Sequence, residues 1–125
     1  PPMIATMELA VDVVENGRVV FAGTPDQRHY NPIGVVHGGY AAMLLDSALG
    51  CAVHSTLAAG EAYTTLELKV NMVRAITSET GRVTAEGRIL HRGRTVGTAE
   101  GYLRDAKGRL YAHATTTCMI FPASP

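Results

Sequence analysis

The sequence predicts an α+β domain in which one long central helix is wrapped by a curved antiparallel sheet. A proline-free segment rich in Ala and Leu runs from residue 37 to about residue 57, and apolar residues cover most of its helical circumference. Alternating apolar and polar residues before and after this segment are typical of strands that bury one face. The chain has 125 residues, which suits one domain over residues 1–125 with a core of ordinary size.

Before the helix, the sequence predicts a hairpin and then a loop. Residues 7–13 alternate between apolar and polar or small side chains, as in a half-buried strand. The pair Asn16-Gly17 marks a tight turn, and residues 19–23 supply the return strand. Residues 24–36 contain two prolines and lose the alternation, so we expect a loop there.

After Gly60 the alternation returns in four segments, at residues 65–72, 83–90, 95–104 and 110–120. Turn-forming residues separate them at 78–81, 91–94 and 105–108. Because the connections are short, the sequence predicts that these four strands form an antiparallel meander.

Composition argues against several classes of function. The 11 basic and 11 acidic residues cancel, and neither sign forms a long block, which argues against a general binder of nucleic acid or of a membrane surface. No apolar stretch is long enough to cross a bilayer, and the start lacks a signal-peptide pattern, so we expect a cytoplasmic protein. Cys51 and Cys118 lack metal-site spacing and are expected to be buried thiols. The five histidines are scattered, and no metal site is expected.

Two features of the helix suggest a chemical site. The turn His37-Gly38-Gly39 opens the helix, where backbone N–H groups lack intrahelical partners and favour negative charge on an oxygen. Asp46 places a carboxylate in an otherwise apolar helix, and Ala42 and Gly50 leave room for a ligand beside it. Gly38 and Asp46 lie roughly 12 Å apart along one helix. An enzyme that uses both features would therefore be a dimer, with its two long helices side by side.

Other interpretations of the same residues stay open. Asp46 is also compatible with an exposed surface position or with the capping of a neighbouring loop. His37 is better suited to orienting the turn through its imidazole than to general-base catalysis. Arg92 and Arg94 flank Gly93 in a turn, where they are either solvated or meet a phosphate-bearing ligand.

The run from Asn31 to Gly39, Asn-Pro-Ile-Gly-Val-Val-His-Gly-Gly, followed by Asp46, resembles the hotdog-fold acyl-CoA thioesterases. The similarity is strongest to the phenylacetate-pathway type and to the 4-hydroxybenzoyl-CoA thioesterase branch, and it extends over about residues 30–122. Residues 71–74 are similar to the family's Asn-Phe-x-Arg-Pro strand ending, although Ala75 stands where proline is usual. Residues 91–95 are similar to its Gly-Arg turn.

The resemblance implies a role for each candidate residue. Gly38 donates its N–H to the thioester oxygen, and Asp46 of the partner subunit acts as nucleophile or as the base that activates water. Asn31 positions the water or the carboxylate. The family's strand Ser/Thr falls on Thr65, which fits the alternation only if the strand contains a bulge. The catalytic candidates are thus Asp46, Gly38, Asn31, His37 and Thr65; the substrate-binding candidates are Gly39, Tyr40 and Met43 near the acyl group and Arg74, Arg92 and Arg94 for the CoA phosphates.

The predicted reaction is hydrolysis of an acyl-CoA to free acid and CoA, with CoA as part of the substrate and no separate cofactor. The acyl group is open between aromatic groups, such as phenylacetyl or hydroxybenzoyl, and short-to-medium chains. The resemblance implies a homo-oligomer, a dimer or a dimer of dimers (a homotetramer). Two alternatives remain: a hotdog hydratase or dehydratase, which typically uses a catalytic His, and a non-catalytic acyl-CoA sensor, which would tolerate loss of Asp46.

Overall fold

A computed structural model describes residues 2–124. Local sequence explains two of its long elements: the Ala- and Leu-rich segment forms the main helix, and the alternating segment after Gly60 forms a strand of twelve residues that ends before Val73. The elements in chain order are α1 (Pro2–Thr6), β1 (Ala10–Glu15), β2 (Arg18–Gly23), a 3-10 turn (Gln27–His29), α2 (Gly38–His54), β3 (Glu61–Met72), β4 (Val83–Arg92), β5 (Val96–Asp105) and β6 (Leu110–Pro122).

The six strands form one antiparallel sheet in the order β1-β2-β4-β5-β6-β3. Helix α2 packs against β2, β3, β4, β5 and β6, so the sheet wraps the helix. Leu44, Leu45 and Leu49 of α2 are fully buried in the interface. The predicted architecture, a central helix held by an antiparallel sheet, is confirmed.

Glycines let the helix lie directly on the sheet. A Cβ added to Gly87 of β4 would lie 2.5 Å from the carbonyl oxygen of Ala48, which is backbone and cannot move aside. A Cβ on Gly101 of β5 would lie 2.3 Å from a methyl of Leu49. The close approach fixes the position of α2, and with it the positions of the residues on its two sides.

The predicted four-strand meander is wrong for β3. Strands β4, β5 and β6 are consecutive neighbours, but β3 pairs with β6 and β4 pairs with β2. The connection over residues 73–82 is too long for a tight hairpin, and it is anchored by the Ile76 carbonyl, which accepts from the Val36 N–H at 2.8 Å. β3 is therefore an edge strand.

The start of the chain also differs from the prediction. Residues 2–6 form the short helix α1, and the Met7 and Leu9 N–H groups bond back to the carbonyls of Met3 and Ile4 at 3.0 Å. β1 begins only at Ala10, so the alternation over residues 7–13 spans a helix end and a strand start. Helix α2 ends at His54, three residues before the predicted end. The Ser55 hydroxyl there donates to the Ala52 carbonyl at 2.7 Å, which competes with the helical bonding pattern.

Both cysteines are free thiols: Cys118 is buried and Cys51 is half-buried. Within residues 2–124, neither helix has the length and apolar character needed to cross a membrane. The cytoplasmic location remains a prediction.

Candidate functional site

Two cavities lie on different parts of α2. The first, here called the amide cavity, has a volume of about 250 Å³ and adjoins the first turn of the helix. Its walls come from the loop before α2, from the end of β3 with the residues that follow it, and from the start of β6. It is lined by Asn31, Val35, Val36, His37, Gly38, Ala41, residues 72–76, Tyr111 and Ala112.

His37 caps the helix at the amide cavity. Its Nδ1 accepts from the Gly39 N–H at 2.8 Å, and its carbonyl accepts from the Tyr40 N–H at 2.9 Å. A Cβ on Gly39 would lie 2.8 Å from that Nδ1, so a larger residue at position 39 would push the imidazole away from its place in the cap. The Gly38 N–H has no acceptor among residues 2–124. One amide at the positive end of a 17-residue helix is thus available to bind an oxygen.

Asn31 lies in the wall of the same cavity, where its side chain holds the loop together. Its Oδ1 accepts from the Ile33 N–H at 3.1 Å and from the Val35 N–H at 3.3 Å. Its own N–H donates to the Val35 carbonyl at 2.8 Å. The side-chain oxygen is therefore used within the loop, and its NH₂ group remains for a ligand or a water.

The second cavity, here called the carboxylate cavity, has a volume of about 540 Å³ and contains Asp46. Asp46 is exposed in the isolated chain, and within residues 2–124 its carboxylate has neither a hydrogen-bond donor nor an ion-pair partner. Burial by the cavity walls raises the pKa of Asp46, and burial together with the Asp46 charge raises that of the Cys51 thiol. An unpaired carboxylate beside apolar walls is a more basic group than one in water.

Thr65 lies in the carboxylate cavity with Asp46. The register between β3 and β6 shifts between Thr65 and Glu67, which leaves Leu66 as the extra residue of a bulge. The bulge explains why Thr65 breaks the alternation of the strand. Its hydroxyl oxygen lies 3.8 Å from the Cys118 sulfur.

The predicted space beside Gly50 is filled by a residue that the sequence did not indicate. The hydroxyl of Tyr63 on β3 lies 3.2 Å from where a Cβ on Gly50 would be. His54 meets the Tyr63 ring edge-on, with centroids 5.4 Å apart. Ser47 and Cys51 also line this cavity. Their i, i+4 spacing puts them on one face of the helix, so their proximity could have been predicted from the sequence. No such spacing indicates Tyr63, because its place depends on the pairing of β3.

One chain does not bring Gly38 and Asp46 together. Both lie in α2, which is continuous from Gly38 to His54. The eight helical steps from Gly38 to Asp46 correspond to roughly 12 Å along the axis and to about 80° around it. The two groups line different cavities.

The structure corrects the expected role of Tyr40. Its side chain is 3% exposed, its ring centroid lies 4.8 Å from that of His29, and a Cβ on Gly23 would lie 2.2 Å from its hydroxyl. Burial raises the pKa of Tyr40 to about 12. Tyr40 is a core residue, and with Gly39 and Met43 it borders a third cavity of about 350 Å³ that Asp46 does not line.

The three candidate arginines lie in different places. Arg74 lines the amide cavity, with its guanidinium 5.9 Å from the centre of the Tyr111 ring. Arg92 pairs with Glu61 and donates to the Gly93 carbonyl, so its position does not support the prediction of a phosphate contact. Arg94 lines a separate cavity, and within the described chain neither Arg92 nor Arg94 reaches the amide or carboxylate cavity.

Comparison with known proteins places this geometry in a family. A model of the thioesterase superfamily matches residues 33–112, which include the cap of α2, Asp46 and Thr65. The chain belongs to the thioesterase superfamily. Its hotdog fold and its resemblance to the phenylacetate-pathway branch are thereby confirmed, as is the prediction of a thioesterase at the level of the family.

Individual relatives agree with this assignment. A Pseudomonas aeruginosa protein with a provisional esterase name is 32% identical over 98 residues, which are 78% of this chain and 66% of that protein. The chain thus spans just under two thirds of that relative. A Ralstonia eutropha protein related to phenylacetic acid degradation is 30% identical, with a TM-score of 0.85 over 95% of this chain and 89% of the other. A mutant of the phenylacetic acid degradation protein PaaI from Thermus thermophilus is 25% identical, with a TM-score of 0.86 over 95% and 98%.

Proposed function

We propose that this chain hydrolyses an acyl-CoA thioester to a free acid and CoA, in a site composed of Gly38 from one protomer and Asp46 of the partner subunit. One observation carries the proposal: a single unbroken helix holds an unpaired amide at its start and an unpaired carboxylate in its middle, in separate cavities. Neither group has another role within residues 2–124. Together they are the two groups that attack on a thioester needs.

The amide cavity suits the carbonyl oxygen of the thioester. Negative charge develops on that oxygen as a nucleophile adds to the carbonyl carbon, and a fixed N–H donor at a helix N-terminus stabilises it. His37 holds the turn through Gly39, so the Gly38 N–H is positioned before substrate arrives. A preorganised donor of this kind contributes roughly 10²–10³ in rate.

The carboxylate cavity suits activation of the nucleophile. In one route Asp46 takes a proton from water, the resulting hydroxide adds to the carbonyl carbon, and the carbon–sulfur bond breaks as CoA leaves. In the other route the carboxylate itself adds to the carbonyl carbon, and the carbon–sulfur bond breaks as CoA leaves as the thiolate. Water then hydrolyses the resulting anhydride to the free acid and regenerates Asp46. The raised pKa of Asp46 favours either route. Thr65 lines the same cavity, and we assign its hydroxyl the role of orienting the water.

Pairing of strand β3 with the same strand of a partner subunit would join the amide cavity of one protomer to the carboxylate cavity of the other. β3 is an edge strand of twelve residues, and its exposed apolar residues Leu66 and Met72 are 61% and 54% accessible. Long open edges of this kind pair with another strand. β3 runs from the carboxylate cavity, at Thr65, to the amide cavity, at Met72. With Leu66 as the extra residue of the bulge, antiparallel pairing centred on Lys69 would set Thr65 opposite Met72 of the partner subunit, bringing unlike cavities together twice per dimer.

The amide cavity also includes a candidate residue for binding CoA. Arg74, beside the amide cavity, is the candidate for contact with a CoA phosphate, because Arg92 is already paired with Glu61. Asn31 retains its NH₂ group for the water or the partner's carboxylate. A tetramer built from two such dimers stays a prediction.

Complementation between inactive variants tests the shared site. Asp46→Asn and Gly38→Pro are each expected to be inactive towards acyl-CoA. When the two are co-expressed with different tags, each mixed dimer contains one intact site, so random pairing should restore about one quarter of wild-type CoA release.

The matched control is wild type co-expressed with the double variant, whose mixed dimers have no intact site. Size-exclusion chromatography confirms that every variant remains a dimer. A shared site predicts about one quarter of wild-type CoA release in both mixtures, which in the control comes from its wild-type dimers alone. No activity in the complementing pair, with about one half of wild-type activity in the control, would mean that the site is not shared between protomers.

A further inference from the structure

The carboxylate cavity has one apolar side and one polar side. Helix α1 and strands β1 and β2 provide apolar walls, which include Met3, Val14 and Phe21. Helix α2 and strand β3 provide the polar part of the lining, which includes Ser47 and Tyr63 with Asp46. The volume, about 540 Å³, lies in the range of pockets that hold small organic ligands. An acyl group placed there meets apolar contacts along one side and polar groups along the other.

The polar groups of this lining differ in whether they already have a hydrogen-bond partner within the chain. The Ser55 hydroxyl accepts from the Gly17 N–H at 2.8 Å and donates to the Ala52 carbonyl at 2.7 Å. The Thr65 hydroxyl has the Cys118 sulfur at 3.8 Å. The Tyr63 hydroxyl, by contrast, makes no hydrogen bond to any part of the chain between residues 2 and 124. The side chains of Ser47 and His54 in the same lining also make none within these residues. Of these groups we assign the Tyr63 hydroxyl to a bound ligand, because packing fixes its ring.

Two contacts fix the Tyr63 ring. Its hydroxyl lies against Gly50, 3.2 Å from the position of a Cβ, and its face meets the edge of His54 with ring planes at 64°. Gly50 is one helical turn beyond Asp46, roughly 6 Å along the axis. Burial, followed by the charges of nearby Cys51, Cys118 and Asp46, raises the pKa of Tyr63, so the phenol stays protonated and can both donate and accept.

We propose that Tyr63 is a specificity-determining residue, whose hydroxyl bonds to an oxygen on the far part of the acyl group. The inference rests on the proposed function, because it takes the carboxylate cavity as the acyl pocket. The substrate class is then an acyl-CoA whose acyl group carries a hydroxyl or carbonyl oxygen beyond the thioester.

The physical reason is the cost of leaving a buried hydroxyl unpaired. An unsubstituted alkyl group would remove water from the Tyr63 hydroxyl without replacing its hydrogen bond, and this loss exceeds the net gain from making such a bond. Sites built to bind a substrate oxygen reject the analogue that lacks it more strongly than apolar pockets reject an extra methylene. We expect a preference of at least about tenfold in kcat/KM for the oxygen-bearing acyl group.

Matched substrate pairs test the inference. Hexanoyl-, octanoyl- and decanoyl-CoA are each assayed beside the counterpart with a terminal hydroxyl, and CoA release gives kcat/KM. Wild type should prefer the hydroxylated member of at least one pair. Tyr63→Phe, which removes one oxygen atom, should abolish that preference. Tyr102→Phe is the control, since Tyr102 lines a different cavity and its hydroxyl bonds to Glu100 at 3.4 Å.

The outcomes separate this inference from the proposed function. Hydrolysis without any preference within pairs, or a preference that survives in Tyr63→Phe, contradicts the role of Tyr63 alone. Absence of hydrolysis for every acyl-CoA contradicts the proposed function and this inference with it. If Tyr63→Phe fails to fold, as judged by its thermal melt, Gly50→Ala serves instead: its methyl displaces the hydroxyl by a few tenths of an ångström, and an unchanged preference there also overturns the inference.

Discussion

The two cavities on α2 differ in the charge that they present and in its source: one presents an N–H donor with partial positive charge, and the other presents a negative carboxylate. At the amide cavity, the working group is backbone: the Gly38 N–H is held by a cap from His37 to Gly39, and the helix dipole adds to its field. At the carboxylate cavity, the reactive group is the side chain of Asp46. Within residues 2–124 this carboxylate has no hydrogen-bond donor and no ion-pair partner, and burial raises its pKa. We expect activity to survive side-chain changes at the amide cavity and to be lost when the Gly38 N–H is removed. At the carboxylate cavity, we expect activity to be lost when a single atom of the Asp46 side chain is changed.

The largest expected effect is at Asp46. Asp46→Asn keeps the size of the side chain but removes the charge, so kcat for acyl-CoA hydrolysis should fall roughly 10²–10⁴-fold. The fold should persist, because no hydrogen bond in the described chain depends on this carboxylate. CoA release and a thermal melt measure the two properties. Ser47→Ala, the neighbouring change in the same cavity, is the control and should retain most activity. Full turnover in Asp46→Asn would contradict the role of Asp46 as nucleophile or general base.

The backbone half of the comparison is tested at Gly38. Proline is accepted at the first position of a helix, and His37 has ψ 135°, which suits a following proline. Gly38→Pro therefore removes the N–H while α2 stays formed. Gly38→Ala keeps the N–H and adds a similar Cβ against the flexible end of Met72. We expect kcat/KM of Gly38→Pro to lie roughly 10²–10³-fold below that of Gly38→Ala. Equal activities would show that the amide does not bind the oxyanion.

The pH dependence of the two halves should also differ. The amide does not titrate, whereas Asp46 must be ionised to act. Because burial raises its pKa above 3.8, kcat/KM should fall about tenfold per pH unit below that raised value, an acid limb at higher pH than an ordinary Asp would give.

The raised pKa of Asp46 also predicts how the free energy of unfolding changes with pH. A raised folded-state pKa means that ionised Asp46 destabilises the fold, so the stability present below the unfolded-state pKa is lost as the pH rises through the folded-state value. Denaturant unfolding should therefore show Asp46→Asn gaining on wild type as the pH rises through this window. A constant difference across it would contradict the raised pKa.

A smaller effect is expected where the helix rests on the sheet between the two cavities. Gly87→Ala would place its methyl 2.5 Å from the Ala48 carbonyl oxygen, and the helix must shift. Overpacking of this kind costs about 1–3 kcal/mol in unfolding free energy, measurable by denaturant titration. Gly97→Ala is the matched control, because its methyl meets a Val53 methyl at 3.0 Å, which a small side-chain adjustment relieves. Equal losses in the two variants would mean that the backbone contact at Gly87 is not special.

The smallest effect is expected at His37. His37→Ala removes the acceptor for the Gly39 N–H and should cost about 1 kcal/mol of stability, with a modest loss of activity. His37→Asn supplies another capping acceptor and should restore both. If His37 were instead a general base, the Asn variant would be as inactive as the Ala variant, which a comparison of kcat decides.

Local patterns in the sequence were sufficient for several features. The apolar, proline-free segment indicated α2, and the His37-Gly38-Gly39 turn correctly marked its start. The alternation after Gly60 indicated the strands that follow, and the need for a bulge near Thr65 was visible as a conflict in parity. The separation of Gly38 from Asp46 followed from the rise of a helix alone. These features depend on residues close in sequence, which is where periodicity carries information.

The sequence by itself determined the helix with its amide and carboxylate, the strands and the family. Tertiary structure alone decided that β3 pairs with β6 at an open edge, that Tyr63 fills the space beside Gly50, that Tyr40 is buried and that Arg92 pairs with Glu61. Each of these rests on contacts between segments far apart along the chain. Such contacts are selected by the packing of the whole sheet on α2, and no local spacing of residues encodes them.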